Sequence, residues 1–166
     1  MEPSRILPDL QSSLLCEDVR QEANGNFIII GVIGLIRVPK VPITALKLCV
    51  FNRWAAGVGS FTESVRLIAP DQTTVIRKSE VKFALRDASS HATNVSLFGQ
   101  VEFKEAGTYF VEVVVDEVMK LRFPLVVAIA PQANKPGQQP PPAAPPSPQT
   151  PPTPPADPTP PANEGA

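Results

Sequence analysis

From residue 13 to residue 129 the chain is a succession of short β-branched and aromatic runs, cut by turn-forming residues about every eight to twelve positions. That rhythm excludes most architectures. An amphipathic helix needs apolar residues three and four apart over several turns, and no segment here sustains that spacing. Period-two runs bounded by Gly, Pro, Asn and Asp are the pattern of a sandwich or barrel.

The runs can be placed one by one. SLLCEDVRQ (13–21) reads as a first strand, and Asn24-Gly25 in EANGN (22–26) as the centre of a type I′ hairpin turn, where both residues need positive φ. FIIIGVIGLIRV (27–38) is apolar on both faces and so is expected as a central strand, covered on each side. After PKVP, the run 43–54 sets Leu46, Leu48, Val50 and Trp54 on one face, interrupted by Asn52. In 61–69, Phe61, Val65 and Leu67 point inward, while Thr62, Ser64 and Arg66 point outward. Pro70-Asp71 opens a turn, with Pro70 presetting φ and Asp71 closing onto the backbone. The run 75–86 follows with Val81, Phe83 and Leu85 inward, then 94–103 with Val95, Leu97, Val101 and Phe103 inward. The valine-rich run after Gly107 and the run 120–129 complete eight strands; Pro124 makes the last an edge or a bulged strand. The expected fold is all-β, an antiparallel two-layer sandwich, with a closed barrel the weaker alternative.

Composition changes at Pro131. Six prolines precede it and fifteen lie in 131–166, a tail with three charges (Lys135, Asp157, Glu164) and no aromatic residue. Such a segment cannot bury enough apolar surface to offset its ordering entropy, so a disordered, polyproline II-biased tail is expected. The organisation read from sequence is therefore an extension at 1–12, a sandwich at 13–130 and the tail at 131–166. Pro142 to Pro145 and Pro151 to Pro154 have Pro-x-x-Pro spacing, but no Lys or Arg adjoins them, and a spacer is the favoured reading.

Charge is balanced at 15 Lys+Arg against 16 Asp+Glu with no basic stripe, which argues against nucleic acid as a partner. The longest apolar run, residues 27–36, is too short for a membrane-spanning helix, and Arg5, Pro8 and Asp9 interrupt any signal-like core. A soluble, cytoplasmic protein is expected, with no membrane partner. Cys16 and Cys49 then read as buried free thiols.

Tyr109, the one tyrosine, stands two residues after Gly107 at the start of a valine run. Glu105-Ala106-Gly107-Thr108-Tyr109 resembles the corner of Greek-key sandwiches, in which a tyrosine hydroxyl bonds back to the upstream backbone. This resemblance implies an immunoglobulin-like sandwich with Tyr109 as a structural pin and Gly107 as the corner. The Cys…Trp…Cys spacing of antibody domains is missing. LLCEDVRQEANGNFIIIGVIGLI together with FKEAGTYFVEVVVDEVMKLRFPLVV is similar to a family of small bacterial proteins of unknown function, over roughly residues 6–130. That likeness implies a bacterial intracellular β-sandwich and carries over no catalytic or binding residue.

Catalysis finds little support. His91, the sole histidine, sits beside Ser89 and Ser90 in a polar loop, where sequence neighbours rarely form a preorganised nucleophile and base. Cys16, Cys49 and His91 lack zinc-site spacing, and neither glycine-bearing loop has the spacing and Lys of a phosphate cradle. Glu22, Asp87, Asp116 and Glu117 are expected at one end of the sandwich, which leaves calcium as an alternative ligand there. Asn52, Arg53 and Trp54 enter a Gly/Ala loop and are the candidate partner-contacting residues, since Trp and Arg dominate interface hot spots; Trp54 also has the parity of Leu46, Leu48 and Val50, and capping the core is the favoured reading for it. The expected function is a non-catalytic binding or scaffold module without cofactor or metal, with protein as the partner. A self-assembling structural subunit and a small-ligand or calcium binder near Trp54 are the alternatives.

Overall fold

The computed structural model describes residues 5–131. Nine strands fill that span: β1 (Asp9–Gln21), β2 (Phe27–Val32), β3 (Leu35–Val38), β4 (Ile43–Ala55), β5 (Gly59–Ile68), β6 (Val75–Leu85), β7 (His91–Phe103), β8 (Gly107–Val115) and β9 (Val118–Ile129). They form two sheets, ordered β2-β1-β4-β7 and β3-β9-β8-β5-β6. The all-β, two-sheet expectation holds. The expected tail conformation at 132–166 lies outside the described residues.

The ninth strand comes from the run expected to be one central strand. FIIIGVIGLIRV breaks after Val32: β2 pairs antiparallel with β1 at one edge of the first sheet, and β3 pairs parallel with β9 at one edge of the second. Its apolar faces serve two different sheets in turn, which period-two reading cannot distinguish from one doubly covered strand. The break follows Gly31, which has φ +64°; a Cβ there would come within 2.7 Å of the Glu17 side chain. β9 is flanked by β3 only along Val126–Ile129, so Pro124, opposite Phe110 on β8, has no strand on its other side. Its missing N–H leaves no ladder bond unmade there.

A second correction concerns parity. β4 and β7 pair in unbroken antiparallel register from Ile43↔Phe103 to Ala55↔His91. Both strands nevertheless change which residues face inward at the same rung, where Gln100 has φ +49°. Ala45 and Val101 contribute to the core on one side of it, and Leu48 and Phe98 on the other. Leu46, expected inside, is therefore 80% exposed, and Leu97 is 58% exposed, while Asn94 and Ser96 turn inward. On β8 the period-two reading holds without interruption: Tyr109, Val111, Val113 and Val115 are all buried.

The β1–β2 hairpin does not run on in the plane of its sheet. Phe27 pairs with Gln21, and Phe51 with Leu14, positions that a straight β1 would hold about 23 Å apart. Their rings are 5.7 Å apart in an edge-to-face contact. The hairpin is thus folded across the outer face of the first sheet, which is why Cys16, Cys49 and Phe51 are buried although they point away from the core.

The turns also differ from expectation. Gly25 N–H bonds to the Glu22 carbonyl, and only Gly25 of the Asn24-Gly25 pair has positive φ (+89°). The connection is a three-residue loop, a type I turn over Ala23-Asn24 followed by left-handed Gly25. The two-residue geometry with both φ values positive occurs at Asp116 (+44°) and Glu117 (+70°), between β8 and β9, without a glycine.

Candidate binding sites

The structure divides Asn52, Arg53 and Trp54 between the two faces of β4. Asn52 and Trp54 point into the interior and are 0% exposed, so neither can form the partner-contacting surface expected of them. The sequence signal, a tryptophan at the end of an apolar face, was a core signal. Around them lies a row of polar side chains that period-two reading had not collected. Ser13, Asn52 and Asn94 are cross-strand partners on β1, β4 and β7, which places neighbouring Cβ atoms about 4.5–5.5 Å apart on one face. Ser96 is two residues further along that face of β7. Opposite, β5 supplies Glu63, also 0% exposed. Its Oε2 accepts the Trp54 indole N–H and an amide N–H of Asn94 at 3.0 Å.

The remaining atoms of this row have no partner within the protein: both amide atoms of Asn52, Glu63 Oε1, and the hydroxyls of Ser13 and Ser96. An unsatisfied buried polar group costs about 1–3 kcal/mol. Five of them would cancel the whole stability of a domain, about 5–15 kcal/mol. Their hydrogen bonds must therefore be completed. The row also separates two apolar clusters. Leu15, Val50, Val65, Phe103 and Tyr109 belong to the larger, and Trp54, Phe61, Leu85, Val113 and Val115 to the smaller.

Arg53 faces the other way. With Gly25, Asn26, Phe27, Phe51, His91 and Thr93 it lines a cavity of about 400 Å³ beneath the hairpin tip. The fold brings Gly25 to Arg53 and leaves Asn24 to close its own turn, its Oδ1 accepting the Asn26 N–H at 2.8 Å. Cys16 and Cys49 are cross-strand neighbours with free thiols. Burial pushes the Cys16 thiol up to about 11 and raises that of Cys49, conditions that suppress the nucleophilic thiolate.

At the other end of the sandwich, Tyr109 is buried, its ring edge-to-face with Phe103 at a centroid distance of 5.0 Å. Its hydroxyl donates to the Glu105 carbonyl at 3.0 Å. Gly107 has φ +155°, and a Cβ on it would approach the Pro70 ring to 3.2 Å. Both residues act within the fold.

Of the acids expected to gather at one end, Asp116 and Asp87 are engaged by their own neighbourhoods. Asp116 accepts the Thr62 N–H at 2.9 Å and pairs with Arg5. Asp87 accepts the Ser89 N–H at 2.9 Å and the Ser89 hydroxyl at 2.6 Å, bonds that hold its carboxyl below the usual range. Among the described residues no three His, Cys, Asp or Glu side chains converge on a point. Arg5, Thr62 and Asp116 line two adjoining grooves on the outer face of the second sheet. The cations of the first of these, Arg5, Arg66 and Lys78, lie beside Asp116, Glu112 and Glu80, which leaves no excess charge for an anionic ligand.

One further surface is open. The β1–β4 ladder ends at Cys16↔Cys49, so residues 43–48 of β4 pair with β7 alone. Between this free edge and β3 runs a cleft of about 550 Å³, lined mainly by Ile33, Leu35, Ile36, Ala45, Leu46 and Leu48, with Glu17, Arg37 and Lys47 at its rim. Lys47 pairs with Asp18; Arg37 has no acidic partner among the described residues. Among the described residues no helix is long and apolar enough to cross a membrane.

No curated protein matches this chain significantly. A family model matches residues 11–128, the span that holds all nine strands apart from the first two residues of β1 and the last of β9. The chain therefore belongs to a family of unknown function, DUF6941.

Proposed function

We propose that the domain is a non-catalytic binding module that takes an extended segment of a partner protein along the free edge of β4. The observation that carries this reading is the departure of β1 from β4 after Cys16, which leaves backbone donors and acceptors of residues 43–48 beside an apolar cleft. Added strands satisfy such an edge through main-chain bonds, while alternate side chains fill neighbouring pockets. Leu46, largely exposed, would lie against the apolar side chains of the segment, and an acidic residue in it would meet Arg37. The free edge of β7 is less suited to such pairing, because Gln100 kinks it and Arg77 of β6 donates to the Gln100 carbonyl at 2.7 Å.

The immunoglobulin-like reading belongs to the same proposal. It is supported by two facing sheets, β1-β4-β7 with β2 set aside and β3-β9-β8-β5-β6, and by a tyrosine corner on β8, the penultimate strand of the chain. A non-catalytic role is supported by the low-reactivity thiols and by the placement of His91 at the start of an edge strand. A cytoplasmic site is supported by the two free cysteines that lie side by side.

The test is photocrosslinking from position 46 in the intact chain, repeated with a chain ending at Ala130 and with Leu35→Asp. A crosslinked protein retained by the truncated chain and lost with Leu35→Asp is the expected result. Capture that disappears only with the tail would make residues 131–166 the ligand and end this reading.

A further inference from the structure

We infer that the interior of the sandwich contains a hydration site, at least one ordered water molecule held between Asn52, Glu63 and Ser96. This site is separate in the fold from the free edge of β4 and is defined by its donors and acceptors. Glu63 Oε2 is already engaged by Trp54 and Asn94, and these two bonds fix the carboxyl over β4 and β7. Its second oxygen, Oε1, is buried without a partner. The register sets Asn52 directly across from Asn94 and sets Ser96 two residues along β7, so both stand on the inner face that Glu63 meets through Asn94. Asn52 is fully buried and uses neither its amide N–H groups nor its carbonyl oxygen.

The chemistry left over is mixed. Glu63 Oε1 and Asn52 Oδ1 accept, the Asn52 amide donates, and the hydroxyls of Ser96 and Ser13 do either. A cation would be repelled by the amide donors, and an anion by the carboxyl and carbonyl oxygens. Water presents two donors and two acceptors, and interior waters typically bond to two to four such groups. A water donating to Glu63 Oε1 and to Ser96 Oγ or Asn52 Oδ1 ties the facing sheets together through β4, β5 and β7. Its directional bonds add to the interdigitation of the apolar clusters on either side. The site thereby fixes the alignment of the two sheets midway between their apolar clusters.

Two measurements test the site, the second with one substitution to locate its signal. The first is a crystal structure at a resolution where ordered water is visible, in which density within hydrogen-bond distance of Glu63 Oε1 and Asn52 or Ser96 is expected. The second is relaxation dispersion of water oxygen-17 and deuterium in solution, which registers interior waters of long residence and should count at least one. Asn52→Leu should abolish that contribution; an undiminished contribution in the folded variant would place the water elsewhere and overturn the assignment. Direct bonds among Asn52, Glu63 and Ser96 with no density between them would overturn it as well, whether or not Asn52→Leu folds.

Discussion

The two ends of the interior are filled in different ways. Around Tyr109 the sheets are joined by hydrocarbon: Phe103 stands edge-to-face with the phenol ring, Leu125 is its cross-strand partner, and Leu67, Val111 and Val127 belong to the same buried cluster, while the hydroxyl is aimed at the Glu105 carbonyl. Around Trp54 the sheets are joined by hydrogen bonds as well, with the indole and Asn94 both donating to Glu63 across the gap. Both aromatic residues are buried, yet one bonds to the backbone of the connection just ahead of its own strand and the other links strands of opposite sheets. A polar atom on a buried ring is inexpensive when its partner is local backbone. When its partner is a carboxyl from the other sheet, the whole neighbourhood must supply further bonds.

Substitutions at the two ends should separate these modes. The largest effect is expected from Trp54→Ala, which creates a cavity and removes a donor from Glu63; urea denaturation should show a loss of about 3–5 kcal/mol from the cavity alone, with the lost bond adding to it. Phe103→Ala, the control at the dry end, should lose about 3–5 kcal/mol without that addition. Equal losses would mean that the Trp54–Glu63 bond contributes nothing. Asn94→Leu should lower stability by about 1–3 kcal/mol, because Glu63 Oε2 keeps only the indole. Tyr109→Phe deletes a single local bond and should cost about 1 kcal/mol by the same assay. Glu117→Gly should raise stability by roughly 0.5 kcal/mol, since glycine accepts the left-handed conformation at φ +70° without steric cost.

The last effect is one of pH. Cys16 ionises at about 11 in the folded chain against an ordinary 9.0. The unfolded thiol therefore loses its proton first, so stability is full below pH 9 and declines as pH rises from 9 through 11. Unfolding midpoints measured at pH 8 and pH 10.5 should differ less in Cys16→Ala than in the unaltered chain.

Much of the architecture was legible in sequence because strand patterning is local. The valine run of β8, the Pro70-Asp71 turn and the corner at Gly107 and Tyr109 each follow from residues within a few positions of one another. In that turn Asp71 accepts the N–H groups of Thr73 and Thr74, as a residue of its type at that place does. The interior polar row was not legible. In sequence Asn52 only interrupts an apolar face, and period two from Phe103 back through Gln100 points Val95 and Leu97 inward and Ser96 outward, the reverse of what the structure shows for Leu97 and Ser96. No local signal distinguishes a strand that keeps its parity from one that switches with its neighbour at the same rung.

By itself, the sequence determined that the chain forms strands, where most of them turn, and which tyrosine closes the corner, because these depend on backbone preferences and side-chain alternation over short distances. Only the tertiary structure decided that one apolar run would serve two sheets, that the β1–β2 hairpin would fold over Cys49 and Phe51, and that Glu63 would meet Trp54 and Asn94. Those outcomes depend on which surfaces lie opposite one another once the sheets have packed. Residues 31 or more positions apart in the chain, such as Glu63 and Asn94, carry no mark of that meeting in their own neighbourhoods.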